Sequence, residues 1–248
     1  MSTAIPDLIG TPIPDRRPPL FYARLAGFIY LLAMALGIFS QSYILGRIVG
    51  DDAAGTAQQI AASEGLFRLG IVIDVVTAVT DVIIAWALYE LLKSVDASLA
   101  LLGAWLRIAD AAILAMTTVC GLITLRLLSG VGYLQSFDPG QLQSLARLYV
   151  SVRGSGFYVG FVFLGLGSAV FAYLFFRSRY VPRLLAGWGV FASVLLAIGS
   201  LGVMLSPEFA ARGAMIYMLP MFFYEVPLGL WLLIRGTAAV RPVAQPVA

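Results

Sequence analysis

Six apolar runs divide the sequence, and each is long enough to cross a lipid bilayer. They lie at about 21–45, 66–92, 99–128, 154–176, 184–205 and 214–234. A helix of about 20 apolar residues spans the ~30 Å hydrocarbon core of a membrane. The runs lack the alternation of membrane β-strands, and a helix is then the remaining way to satisfy backbone polar groups in lipid. The sequence therefore predicts an all-α polytopic membrane protein, a bundle of six transmembrane helices.

The composition removes several classes of function. Hydrophobic residues make up 60% of the chain and charged residues 12%, whereas a soluble domain carries about 25% charged residues. Histidine is absent and Cys120 is the single cysteine. The usual ligands of haem and zinc are therefore missing, and we predict no cofactor and no metal centre. The net charge of +3 sits in short loops, which predicts no nucleic-acid partner. No nucleophile motif is present, so an enzyme is the least favoured class.

The short loops predict how the chain is oriented in the membrane. Residues 1–19 are polar and proline-rich, and we expect a disordered cytosolic tail before a transmembrane domain at 20–236 and a second short cytosolic tail at 237–248. Basic residues mark cytosolic loops by the positive-inside rule. With both termini inside, the inner segments carry Arg16, Arg17, Arg24, Lys93, Arg177, Arg179, Arg183, Arg235 and Arg241. The outer connections 51–65 and 136–154 are either short helices over the outer mouth or extensions of the second and fourth spans.

Acidic side chains inside the spans are the main candidates for a functional site. Asp74 and Asp81 lie seven residues apart and share one helix face, as do Arg107 and Asp110 on the third span. Folding the chain back about Val95 sets Asp81 level with Asp110. A rise of 1.5 Å per residue places both Asp81 and Glu225 about 15 Å from the inner surface. Residues Asp74, Asp81, Arg107, Asp110 and Glu225 are therefore predicted to form an ion- or ligand-binding cluster.

The charges of this cluster do not balance, since one arginine faces several carboxylates. The surplus acids must be protonated, neutralised by a cation or hydrated, as in a proton relay or cation site. A structural network of neutral carboxylic acids would have the same composition. Pro220 and Pro227 flank Glu225 in the sixth span. They indicate either an ordinary proline kink, which the prolines alone favour, or a broken helix of the kind that transporters use to coordinate ions or substrate.

Two further patterns concern the ends and contacts of the spans. Glu64, Arg68 and Arg153 lie near the predicted outer interface and form either an anion-attracting vestibule above Asp74 or side chains that snorkel to lipid headgroups. Gly156, Gly160, Gly165 and Gly167 in the fourth span permit close helix packing. Packing within the chain is favoured for them, and a homo-oligomer stays possible.

The chain also resembles a known family along most of its length. The segments that carry the resemblance are, in order, "ARLAGFIYLLAMALGIF", "ASEGLFRLGIVIDVVTAVTDVIIAWALYELL", "FDPGQLQSLARLY", "GFYVGFVFLGLGS", "FFRSRYVPRLLAGWGV" and "EVPLGLWLLIRG". They are similar to segments of DUF4386, a family of domains of unknown function. The resemblance implies a bacterial multi-pass protein of the plasma (inner) membrane, and it implies no particular activity.

Two functions remain open from the sequence. The first is a small transporter or ion- or proton-coupled carrier that uses the intramembrane carboxylates. The second is a non-catalytic membrane protein that holds a lipid, a quinone, another hydrophobic ligand or a partner protein. The aromatic residues of "FFYEVPLGLW" and Trp86, Trp105 and Trp188 could line its cleft. The expected partners are the lipid bilayer and a small-molecule, lipid or cation ligand.

Overall fold

The regular structure of the protein is helical throughout the part of the chain described by the computed structural model, residues 19–50, 52–206, 208–210 and 216–237. Seven helices follow in chain order: α1 Pro19–Ile48, α2 Ala53–Ala62, α3 Glu64–Leu92, α4 Ala97–Leu128, α5 Pro139–Ser178, α6 Arg183–Leu205 and α7 Ile216–Ile234. Within α1 the turns of Phe39–Leu45 are π-helical, and α7 opens with a 3₁₀ turn at Ile216–Met218.

Six of these helices, all but the short α2, are long and apolar enough to span a membrane. The prediction of an all-α bundle with six transmembrane helices is therefore confirmed, and the protein is a multi-pass membrane protein. The predicted tails at 1–19 and 237–248 lie outside the described residues apart from residues 19 and 237. The orientation with both termini in the cytosol stays a prediction.

The six long helices form a closed ring. Each packs chiefly against its neighbours in the order α1, α3, α4, α5, α6, α7, and α7 returns to pack against α1. Tight turns explain most of this order, because short connections such as residues 93–96 and 179–182 make successive helices antiparallel neighbours. The ring encloses a central space that side chains from every spanning helix can reach.

Glycines set how closely the helices of the ring approach. A Cβ atom built on Gly27 of α1 would lie 2.5 Å from the carbonyl oxygen of Gly229 on α7, and one on Gly165 would lie 2.6 Å from the carbonyl oxygen of Ser193 on α6. Gly156, Gly160 and Gly167 of α5 face α4 in the same way. The prediction that the glycines of the fourth span serve packing within the chain is confirmed.

The two long connections differ from each other. Residues 53–62 form the separate helix α2, which Asp52 caps by accepting a hydrogen bond from the Gly55 amide at 2.7 Å, and which ends at Ser63. Asp138 caps the second segment, but the helix then runs unbroken from Pro139 to Ser178 over 40 residues. The interpretation of residues 136–154 as a separate short helix was therefore wrong, and their interpretation as an extension of the fourth span was right. The buried face of Ala146 and Val150 gives this extension a packing partner, so nothing ends the helix at the membrane surface.

Replacing Gly27 tests the contact that closes the ring. We expect Gly27→Ala to lower the free energy of unfolding by about 1–3 kcal/mol, because its Cβ would press on backbone atoms of Gly229 and Leu233 that cannot move independently. Gly37→Ala is the matched control on the same helix, since its Cβ would meet no atom within 4 Å. Thermal unfolding in detergent measures the stability of both variants. Equal melting temperatures for Gly27→Ala and Gly37→Ala would contradict the close contact.

Cysteine labelling tests the predicted orientation. In a Cys120→Ser background we expect Gln58→Cys, exposed on α2, to react with a membrane-impermeant maleimide in intact cells. Ser94→Cys, exposed in the turn between α3 and α4, should react only after permeabilisation. The reverse pattern would place the termini outside.

Candidate functional site

A cavity of about 650 Å³ lies inside the ring. Two apolar clusters pack the helices of the ring: the larger contains Leu88, Leu92 and Phe175 and shares Tyr30 and Met221 with the cavity wall, and the smaller contains Ile44, Ile48, Ile60, Phe67, Ile71, Ile73, Leu125 and Val150. All five residues of the predicted cluster line this cavity: Asp74, Asp81, Arg107, Asp110 and Glu225. The structure thus brings together side chains from α3, α4 and α7, as the depth argument predicts.

The centre of the site is an ion pair between α3 and α4. The Nη2 of Arg107 lies 2.7 Å from Oδ1 of Asp81, and the arginine is 1% exposed. Its Nη1 also donates to the hydroxyl of Tyr30 on α1 at 3.2 Å and to that of Ser168 on α5 at 3.0 Å. One guanidinium therefore ties four helices together, and its charge is matched by Asp81.

A second buried ion pair joins α3 to α5. Arg153 donates through Nη2 to Oδ2 of Asp74, and Ser40 of α1 donates its hydroxyl to Oδ1 of the same carboxylate at 2.7 Å. Arg153 is 3% exposed, so the interpretation that it snorkels to headgroups was wrong. The cause is the extended start of α5, because a helix that begins at Pro139 places Arg153 well inside it.

The other two residues of the predicted vestibule stay at the surface. Glu64 and Arg68 form an ion pair at 2.7 Å on the first turns of α3, with more than half of each side chain exposed. Neither residue lines the cavity. The structure therefore separates them from Arg153, and the three do not form one vestibule.

Asp110 and Glu225 are the unpaired acids of the site. Neither carboxylate makes a hydrogen bond or an ion pair with any residue that the structure describes. Asp110 is only 5% exposed, and both side chains line the cavity. Since both arginines already bind other carboxylates, two of the four acids lack a partner. The predicted excess of negative charge is present, although Arg153 makes it smaller than the sequence suggested.

The cavity reaches the surface along one edge. Gln41 and Ser42 on α1 and Gly154 on α5 line it and are exposed, as is Phe222 on α7. At the opposite end of α1, the contact between Gly27 and Gly229 holds α1 against α7. The two helices are therefore in close contact at one end, and at the other they line an opening.

The π-helical turns of α1 form part of this edge. A π-helical segment accommodates an extra residue per turn, and such segments are frequent at functional sites. Here Phe39–Leu45 carries Ser40, which contacts Asp74, and Gln41 and Ser42, which line the cavity. Sequence reasoning missed this segment and the uncharged partners Tyr30 and Ser168, because hydroxyl groups are common in membrane spans and gave no distinctive signal.

Helix α7 is not broken on either side of Glu225. Pro220 lies in the first turn of the α-helical part, Leu219–Ile234, where its missing N–H breaks no bond, and the helix continues through Pro227. The broken-helix interpretation was therefore wrong, and Glu225 projects from continuous helix. The predicted cleft lined by tryptophans is also wrong. The side chains of Trp86, Trp105 and Trp188 are 42–61% exposed, and none of them lines the cavity.

Comparison with known proteins gives one match. The family model described as a domain of unknown function (DUF4386) matches residues 25–236, which is most of the chain. No curated protein and no solved structure matches the chain. The match agrees with the predicted resemblance and carries no information about the chemistry of the cavity.

A double-mutant cycle tests the Asp81–Arg107 pair. We expect Arg107→Met to destabilise the protein by about 3–5 kcal/mol, because it leaves the buried Asp81 carboxylate without its partner. Asp81→Leu combined with Arg107→Met should recover most of that loss, since no unpaired charge remains. Tryptophan fluorescence during unfolding in detergent gives the free energies. A double variant that loses the sum of the two single losses would show that the pair is not coupled.

Proposed function

The chain belongs to the DUF4386 family of domains of unknown function, and we propose that it is a small membrane carrier coupled to protons or cations at Asp110 and Glu225. The observation that carries the proposal is the pair of unpaired carboxylates in one cavity, where Asp110 is buried and Glu225 is partly buried. Three residues of the site, Asp74, Asp81 and Arg107, serve in this proposal to hold the helices and to fix the local field.

Charge compensation is the physical basis of the proposal. An isolated carboxylate in a low-dielectric interior costs far more than a paired one, so a proton, a cation or water must compensate it. Two such groups that share a cavity can exchange protons for cargo as the cavity fills and empties. Intramembrane acids that face a cavity are typical of ion and substrate pathways. A purely structural network would instead satisfy these acids with hydrogen bonds, and Asp110 and Glu225 have none among the described residues.

The charged and titratable groups around the two acids come from most of the ring. They are Tyr30 on α1, Asp74 and Asp81 on α3, Arg107 on α4, Tyr158 on α5, and Tyr224 on α7, while α6 adds Leu196 to the lining. Arg153 does not line the cavity and binds Asp74. The arginines are fixed by their own aspartates. Protonation or cation binding at Asp110 and Glu225 is thus the step that changes the charge of the cavity.

The shape of the cavity suits a carrier. It has an exposed edge beside Gln41, Ser42 and Gly154, and it is closed towards the Gly27–Gly229 contact. A carrier alternates between opening one end and the other, and the close glycine contact would have to loosen for release on the second side. We expect the protein to work in the bacterial plasma membrane, as its family resemblance implies.

A second candidate is storage or presentation of a neutral hydrophobic ligand such as a lipid or quinone. It is favoured by the lining, in which residues such as Met34, Phe161 and Leu164 are apolar. Native mass spectrometry distinguishes the two: a neutral ligand retained equally by wild type and by Glu225→Gln would favour the second candidate over the carrier.

Charge movement across supported proteoliposomes tests the carrier. We expect a pH jump or a Na⁺ jump to give a transient current in the wild-type protein, because protons or ions enter a buried site. The double variant Asp110→Asn with Glu225→Gln should fall to the level of protein-free liposomes.

Glu64→Gln is the control, since it removes a carboxylate that is exposed and lies outside the cavity. It should keep the wild-type current. A wild-type signal no larger than that of empty liposomes, or a double variant with undiminished current and normal elution in size-exclusion chromatography, would refute the proposal.

A further inference from the structure

We propose that the cavity binds an organic cation with an aromatic or otherwise apolar body, and that this cation competes with protons for Asp110 and Glu225. The inference rests on the proposed carrier function and names its class of substrate. It follows from four features of the cavity: its size, its lining, its uncompensated charge and its exposed edge.

The size of the cavity indicates a small molecule rather than a bare ion. Its volume of about 650 Å³ falls within the range of pockets for small organic ligands, about 300–1,000 Å³. An inorganic cation would need a compact shell of oxygen ligands. Around Asp110 and Glu225 the space is instead much wider than one ion, and most of the wall is hydrocarbon, sulfur and aromatic ring.

The lining indicates an apolar body that carries positive charge. Aromatic side chains come from α1, α5 and α7, and methionines from α1 and α7; they are Tyr30, Phe157, Tyr158, Phe161, Phe222, Met34, Met218 and Met221. The faces of aromatic rings attract cations, with a gain that grows when the cation is desolvated. Methionine adapts to irregular apolar shapes. A permanently charged organic cation can use all of these surfaces at once.

The charges determine the sign of the ligand. Arg107 is the only basic side chain among the described residues that line the cavity, and Asp81 already binds it. The Nε of Arg107 has no hydrogen-bond partner, but protein atoms cover it, so an anion in the cavity could not reach it. Asp110, 95% buried and without a partner, faces the same space as Glu225. The cavity therefore offers uncompensated negative charge and no free positive charge to a ligand.

Competition between the cation and protons follows from this arrangement. When the cavity is empty, Asp110 and Glu225 are held neutral by protons or share the space with water. An organic cation that enters along the edge at Gln41, Ser42 and Gly154 displaces a proton from one carboxylate and leaves a neutral ion pair behind. Each bound cation then releases up to one proton, which is the stoichiometry that a one-for-one exchanger requires.

Tetraphenylphosphonium and tetraphenylborate, which share a shape but carry opposite charge, test the inference. We expect the purified wild-type protein in detergent to bind tetraphenylphosphonium saturably in titration calorimetry. Because the buffer takes up the proton that binding releases, the measured heat should change linearly with the ionisation enthalpy of the buffer. Tetraphenylborate should show no saturable binding. Asp110→Asn and Glu225→Gln should each weaken tetraphenylphosphonium binding by about tenfold or more, and Glu64→Gln should leave it unchanged.

A second variant keeps the test informative where a carboxylate variant fails to fold. Ala33→Phe, which enlarges a small residue of the cavity wall, should weaken tetraphenylphosphonium binding while the pH-jump current through Asp110 and Glu225 persists. Equal affinity for both probes, or affinity that neither carboxylate variant changes, would overturn the organic-cation assignment. A pH- or Na⁺-jump current without tetraphenylphosphonium binding would overturn the substrate class alone, whereas absence of any current would overturn the carrier function.

Discussion

Two arginines are buried among the described residues, and each binds its own aspartate of α3. The other features of the site follow from these two ion pairs. Arg107 reaches Asp81 from α4, and Arg153 reaches Asp74 from α5. A guanidinium removed from water needs a close counter-charge and further hydrogen bonds; for Arg107 Asp81 supplies the charge, and Tyr30 and Ser168 accept hydrogen bonds from Nη1. These contacts hold α1, α3, α4 and α5 in one arrangement. They also leave Asp110 and Glu225, which line the same cavity, without a hydrogen-bond or ion-pair partner among the described residues.

Close packing and open space occur along the same helices. Alanines and glycines let α1 approach α7 and α5 approach α4 and α6, which gives the van der Waals contact that replaces the hydrophobic effect inside lipid. The same helices also enclose the cavity, where the wall carries the charged side chains of Asp81, Arg107 and Asp110. A rigid wall around a space that contains charge is what a selective binding site requires.

Much of this could be predicted from the sequence, because lipid imposes simple rules. Run length and hydropathy located the six spans, and the 3.6-residue period with one tight turn placed Asp81, Arg107 and Asp110 at one level. Arg153 was misjudged because hydropathy marks where the apolar run begins and not where the helix begins. The extension from Pro139 is polar and packs on protein, so it carried no membrane signal. The π-helical turns at Phe39–Leu45 depend on contacts with α3, such as that of Ser40 with Asp74, that no local pattern encodes.

The ring that closes between α1 and α7 makes the order of synthesis part of the assembly problem. Because chains are inserted from the N-terminus, α3 leaves the ribosome with Asp74 and Asp81 before the arginines of α4 and α5 exist. The nascent helix must keep these acids protonated or near the aqueous pore of the insertion machinery until Arg107 and Arg153 arrive. The N-terminal helix α1 then waits through four further spans for its second neighbour. The cavity is complete only when α7 delivers Glu225, so a chain arrested before that point has Asp74, Asp81 and Asp110 but neither Glu225 nor an enclosed space to hold a ligand.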